Sequence, residues 1–266
     1  MVLMSAVSTV HAASDWVSGL GYKARLVEGS ANADGTVQAG FEIVLEDGWK
    51  TYWRVPGENG IPPLFEFKSS SNIKDVTVHW PAPATFKDTT GFSIGYKHHV
   101  VLPFMVTPEI GAQSIELNLS AFFGVCSEIC VPADARISLS LDPGNKEGRD
   151  QRIIDDAMIK VPTLAYSPDF NVNQAKLESG SDAEHVYVQL QLPDSADDII
   201  VLTEGPQNWY FDPYLDKVAR TSAKREPFMA KIPVYREARD PLSGEEKLRI
   251  TVIANGSAIE KTIFIQ

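Results

Sequence analysis

The chain has 266 residues, 44% hydrophobic and 22% charged, with a formal net charge of −11. That is long enough for one large domain or two ordinary ones, each with its own core, and it excludes disorder as the main state. The acidic balance, with no Lys/Arg cluster to neutralise a row of phosphates, weighs against nucleic acid, and no run of about 18 apolar residues marks a transmembrane helix.

Residues 1–13 read as the tail of a secretory signal, because Val10-His-Ala12 puts small residues at −3 and −1 of a signal-peptidase site. Export would place the mature protein in an oxidising compartment, where two cysteines can pair. Strand signals follow one another. Residues 22–28 alternate, residues 37–45 are apolar-rich, and residues 115–123 show period two plainly. The apolar run 99–106 carries Pro103, which predicts an edge strand or a bulge. Residues 136–141 alternate again and stop at the turn Asp142-Pro-Gly144.

Residues 145–161 break the pattern. Ile153, Ala157 and Met158 fall at helical spacing before Pro162, which predicts a short helical linker and a domain boundary. Strands then return. Residues 184–192 put Val186, Val188, Leu190 and Leu192 on one face, and residues 199–202, 228–235, 248–254 and 258–265 complete a second set. Asn255-Gly256 is a strong hairpin turn. The expectation is an all-β chain of two tandem β-sandwich domains, 14–143 and 163–266, joined by the helical linker.

Cys126 and Cys130 are the two cysteines of the chain. A strand runs into the first and another leaves the second. Across a three-residue loop their Cα atoms would lie roughly 4.5–5.5 Å apart, close enough for a disulfide. Such a bond closes a small loop and contributes only about 2 kcal/mol by chain entropy, little for a protein with two cores. Short disulfides near a surface tend to be the labile, exchanging kind. Glu128 between them disfavours a thiolate, and the spacing is not that of the redox C-x-x-C motif. Redox exchange, a structural staple, and a zinc or copper site completed by His98 or His99 therefore all stay open. His79 and His185 read as ordinary strand residues, and no G-x-S-x-G, H-E-x-x-H or phosphate-binding loop occurs.

The ordered set Gly48-Trp-Lys-Thr-Tyr-Trp-Arg-Val-Pro-Gly57, Gly60-Ile-Pro-Pro63, Trp80-Pro-Ala-Pro83, Tyr96, Leu102-Pro103 and Gly124-Val-Cys-Ser-Glu-Ile-Cys-Val-Pro132 resembles a known family. It is similar to the amino-terminal periplasmic domain of DsbD-type thiol:disulfide interchange proteins, in the ScsB-like, copper-sensitivity-suppressor branch. The resemblance covers roughly residues 20–142 and is weaker over 160–266. It implies immunoglobulin-like sandwiches and a redox pair, with Cys130 as the sulfur that forms a mixed disulfide with partners and Cys126 as the resolving one. It implies a thioredoxin-like donor domain of a membrane reductase as one partner, periplasmic disulfide proteins as others, and neither an organic cofactor nor a metal. It also implies an aromatic cap over the cysteines, carried by residues 89–96, with Phe92 first and Tyr96 second. Without a multi-helix membrane segment or a thioredoxin-like domain, the chain is expected to be a free-standing partner or the exported part of something larger.

Trp49, Tyr52 and Trp53 follow Gly48 in what reads as a turn into a strand. Aromatic residues there are core or rim packing first, and a docking surface for a partner second. Phe92 sits between Gly91 and Gly95 in what reads as a loop, where movement costs little.

Overall fold

The computed structural model describes residues 13–58, 60–88, 91–164, 167–180, 183–194, 196, 198–216, 227–236 and 242–266. The signal-like residues 1–12, and Thr89 and Thr90 of the cap stretch, lie outside them. The strands are β1 Val17–Gly19, β2 Tyr22–Ala31, β3 Val37–Leu45, β4 Lys50–Gly57, β5 Leu64–Glu66, β6 Asp75–Val78, β7 Ala84–Asp88, β8 Gly91–Lys97, β9 His99–Thr107, β10 Ile115–Cys126 and β11 Cys130–Leu141. After helix α1, Gln151–Met158, come β12 Thr163–Leu164, β13 Asn171–Ser179, β14 Glu184–Gln191, β15 Ile199–Glu204, β16 Trp209–Phe211, β17 Tyr214–Asp216, β18 Phe228–Arg236, β19 Lys247–Ala254 and β20 Ser257–Phe264. Among the described residues the chain is all-β with one short helix, arranged as immunoglobulin-like sandwiches. Among the described residues, no helix is long and apolar enough to cross a membrane.

Two compact units divide the chain: residues up to 56 with 60–84 and 94–159, and residues 160–266 with the short stretches 57–59 and 85–93. In the first unit one sheet runs β1-β2-β3-β9-β6 and the other β11-β10-β4 followed by residues 94–97 of β8, with β5 pairing β10. Strict alternation drives the core. Ile115, Leu117, Leu119, Ala121, Phe123 and Val125 of β10 all point inward and are buried. Phe123 meets Tyr22 and Phe41 edge-on, with ring centres 5.0 and 5.8 Å apart, so the core lies between the two sheets. Each large apolar side chain buried there contributes about 1.5–3 kcal/mol.

Two expectations change. Pro103 does not mark an edge: β9 is paired on both sides, by β3 and by β6. The Pro103 carbonyl accepts from the His79 N–H at 2.8 Å, on the β6 side. Its missing N–H faces the same way, just past the end of β6, so the ladder to β3 loses nothing. The helix, in turn, is no loose link. It packs on β2, β3 and β9, with Ile154 over Gly29 and Gly40, where a Cβ on Gly29 would come within 2.8 Å of Ile154 Cδ1. Gln151 accepts from the Ser30 N–H at 2.6 Å and donates to Gln38 at 2.8 Å. A helix this short is stable only through such tertiary contacts.

In the second unit the sheets run β12-β20-β19-β15-β17 and β13-β14-β18-β16. Val186, Val188, Leu190 and Leu192 are buried in its core, on one face as their spacing predicts. Asn255 and Gly256 have φ of 48° and 79°, the left-handed pair that a tight β19–β20 hairpin requires.

Candidate functional site

The site grows from the β10–β11 hairpin. Its register is unbroken from Ile115 opposite Leu141 to Cys126 opposite Cys130, and Ser127, Glu128 and Ile129 close the turn. Opposite residues share a face, so the two cysteines face each other by construction. Their Cα atoms are 4.0 Å apart and their sulfurs are bonded. Exposure divides them: Cys126 is 4% exposed, while Cys130 is open to solvent.

Cys126 is covered from β4. Val125 and Cys126 pair with Thr51 and Lys50, and the Thr51 hydroxyl donates to the Gly124 carbonyl at 2.8 Å. By alternation Lys50 and Tyr52 share the outward face with Gly124 and Cys126. Gly124 leaves room there: a Cβ would lie 2.7 Å from both Tyr52 Cε2 and Ile61 Cβ. Across that gap the Tyr52 hydroxyl reaches Cys130 Sγ at 3.0 Å. A half-cystine has no S–H, so the phenol is the donor.

The residues singled out in the sequence separate accordingly. Cys126 and Cys130 come together. Trp53 is fully buried, its indole N–H finds no hydrogen-bond partner among the described residues, and the Arg54 guanidinium sits 4.1 Å from its ring centre. It is a core residue and offers no docking surface. Tyr52 is 3% exposed and likewise cannot be a contact surface; it belongs to the cysteine site instead. Trp49 is half-buried and lies against Gly21, whose missing side chain makes the space. Tyr96 is a core residue too: its hydroxyl donates to the Pro81 carbonyl at 2.8 Å, and burial pushes its phenol well above the ordinary range, against the pull of Arg54. A ring fixed this way is a poor movable cap. Phe92 is half-buried, with the Lys87 ammonium 5.3 Å from its ring centre. Its stretch is strand β8 rather than a loop, because Gly95 lets β8 run hard against the Thr51 carbonyl.

His98 and His99 are engaged elsewhere. His99 Nε2 is 2.9 Å from Glu42, which Arg25 also contacts at 2.6 Å, and His98 stands exposed. Burial would raise the Glu42 carboxyl, but the bonds from His99 and Arg25 win and hold it below its ordinary range. Among the described residues, no group of three or more His, Cys, Asp or Glu side chains could hold a metal ion. Sequence reasoning missed the Tyr52–Cys130 bond and Lys50 opposite Cys126. The signal for both was Gly124, a glycine on an outward strand position, which marks close approach by a neighbour.

Residues 23–142 match the family described as the N-terminal part of the thiol:disulfide interchange protein DsbD. Among solved structures, the N-terminal periplasmic domain of ScsB from Proteus mirabilis is 22% identical with a TM-score of 0.71, covering 96% of this chain and 98% of that one. At that identity the match speaks for the fold, across both units. The YadV chaperone (11% identity, 90% of this chain, 98% of that one, TM-score 0.22) is too dissimilar to bear on it. So is the Enterococcus faecalis MSCRAMM ACE (11%, 86%, 88%, TM-score 0.23). No curated protein matches the chain. Residues 23–142 are therefore similar to DsbD amino-terminal domains, a match that spans a little under half of the chain.

Proposed function

We propose that the chain is a periplasmic thiol-disulfide exchange module. It takes reducing equivalents from a thioredoxin-like donor, the domain of a membrane reductase, through Cys126 and Cys130. It passes them to disulfide-bearing periplasmic proteins, with copper-stress proteins among the recipients. Residues 14–143 carry the chemistry in this reading, and 163–266 form a second sandwich domain. The observation that carries it is the unequal exposure of the two sulfurs. An incoming thiolate can approach the open Cys130 but not the covered Cys126, so Cys130 takes the partner and Cys126 resolves.

Two features support the reading. The Tyr52 hydroxyl, 3.0 Å from Cys130 Sγ, would stabilise a thiolate there after reduction. Phe122, Leu64 and Ile129 are exposed apolar side chains on the β10 outward face, its β5 neighbour and the cysteine loop. They are better placed to receive a partner than the buried Tyr52 and Trp53. Phe92 is the cap residue in this scheme.

The test is trapping. Reduced Cys126→Ala protein should accumulate a mixed disulfide with a thioredoxin-like domain through Cys130, while Cys130→Ala should give little adduct. Equal adduct from both variants removes the role assignment. Loss of the near-UV circular dichroism of wild type on reduction makes the bond a staple instead.

A further inference from the structure

We propose that Lys50 supports the exchange by stabilising the Cys126 thiolate as it leaves. The inference rests on the exchange reading above. When a donor dithiol reduces the protein, one donor thiolate attacks Cys130 Sγ and a donor–Cys130 bond forms. The Cys126–Cys130 bond breaks, and its electron pair departs on Cys126 as a thiolate. The donor's second thiolate then attacks the donor sulfur of the mixed disulfide and expels the Cys130 thiolate. Two electrons have passed from the donor, now a disulfide, to this protein, and both its thiolates then take protons from solvent as their pKa values dictate.

The first step leaves negative charge on the worse-placed sulfur. Cys126 is 4% exposed, and burial disfavours a thiolate. A leaving group so placed needs an offsetting charge, because exchange is faster when the leaving thiol is more acidic. The groups that face it can be named. From β11 comes Cys130, and from β4 come Tyr52, whose hydroxyl is directed at Cys130, and Lys50. Arg54, farther along β4, lies over the Trp53 ring. From the loop comes Glu128, exposed and of the wrong sign, and Asp134 lies four residues farther along β11 on the same face. Lys50 is the direct cross-strand partner of Cys126, half-buried, on the same outward face. Directly opposed side chains have Cβ atoms about 4.5–5.5 Å apart, so a lysine stem is long enough for its ammonium to reach the sulfur as charge develops there. A cation at that range favours the charged form of a thiol.

The experiment uses Lys50→Met and Lys50→Arg. In reduced Cys130→Ala protein, the alkylation rate of Cys126 is followed against pH. Lys50→Met should move the curve to higher pH and slow alkylation at pH 7 about tenfold, and Lys50→Arg should restore it. With both cysteines present, reduction by dithiothreitol should slow about threefold in Lys50→Met. Should the methionine variant lose its near-UV circular dichroism, Lys50→Gln is the second neutral variant for the same curves. An unchanged Cys126 profile in a folded neutral variant, or a failure of arginine to restore it, overturns the proposal. If exchange through Cys130 still occurs in that case, only the role of Lys50 falls. If Cys126→Ala protein forms no mixed disulfide at Cys130, the exchange reading falls whatever Lys50 does.

Discussion

The outward face of the β10–β11 hairpin has two halves that share a backbone and differ in everything else. Near its open end Glu116, Asn118 and Ser120 face water opposite Ser140, Ser138 and Arg136. Ser140 donates to Glu116 at 2.8 Å and Ser138 to Asn118 at 2.5 Å, a solvated polar ladder. Past Ala121 the outward residues become Phe122, Gly124 and Cys126, opposite Asp134, Pro132 and Cys130. The register does not slip between the halves, so no bulge creates the site. It is made by subtraction: a glycine where the ladder had a side chain admits the Tyr52 ring, whose hydroxyl then reaches Cys130.

If that contrast is right, Gly124→Val should have the largest effect. Its Cβ would meet Tyr52 and Ile61 at 2.7 Å, and overpacking of this kind costs about 1–3 kcal/mol. Ser120→Val, four residues away on the same face, is solvent-exposed and should stay within about 0.5 kcal/mol of wild type. Denaturant titration of the two variants measures both. Equal losses would mean that the face is uniform and that Gly124 holds no special space.

Removing the disulfide comes next. The double variant Cys126→Ala, Cys130→Ala should lose about 2 kcal/mol, the entropy of a small loop, and remain folded. A loss twice that size, or a molten product by near-UV circular dichroism, would make the cysteine half a structural clamp. Tyr52→Phe follows. It keeps the ring that fills the gap and removes one hydrogen bond, so about 1 kcal/mol or less is expected. Its main consequence should be slower alkylation of reduced Cys130 at neutral pH. A reactivity unchanged from wild type would limit the phenol to packing.

The same contrast explains what could be seen in the sequence. The polar half of the face was legible because one side of each strand is wet, so Ile115 to Phe123 alternate. The bounds of β3 and the Asn255-Gly256 turn were legible for equally local reasons. β4 was legible only in part: the turn at Gly48 pointed into a strand, but Thr51, Tyr52 and Trp53 are buried in succession, and period two, which would assign their faces, vanishes where both faces are covered. β8 looked like a loop because Gly91 and Gly95 flank Phe92, and a glycine required by a neighbouring strand reads the same as one required by a turn. The facing cysteines followed from a three-residue turn, but the bond from Tyr52 spans 78 residues of chain and leaves no local trace. Docking roles for Tyr52 and Trp53 failed because composition marks aromatic residues without saying which face they take.

The smallest expected effect lies where the polar half of the hairpin ends. The Asp142 N–H, just after β11, donates to Glu28 Oε1 at 3.1 Å. Glu28 is 2% exposed. Burial pushes its carboxyl above the ordinary range, and the charges of Asp142 and Asp150 add to that. Hydrogen bonds from Asp142 and Asn145 oppose it without winning. A carboxyl whose folded pKa is raised contributes fully below its unfolded pKa, and that contribution is lost as pH rises through the raised value. Glu28→Gln keeps the acceptor oxygen and never ionises. It should therefore be slightly more stable than wild type at pH 7, with the difference closing as the pH falls below the ordinary glutamate pKa of about 4.3. Urea titrations of both proteins at pH 7 and pH 3.5 measure it. The polar half would then show a pH-dependent cost from one buried carboxylate, whereas Tyr52→Phe, in the cysteine half, should differ from wild type by the same amount at both pH values. A Glu28→Gln difference independent of pH would mean that the carboxylate pays no burial cost, and that the two ends of the hairpin are held in the same way.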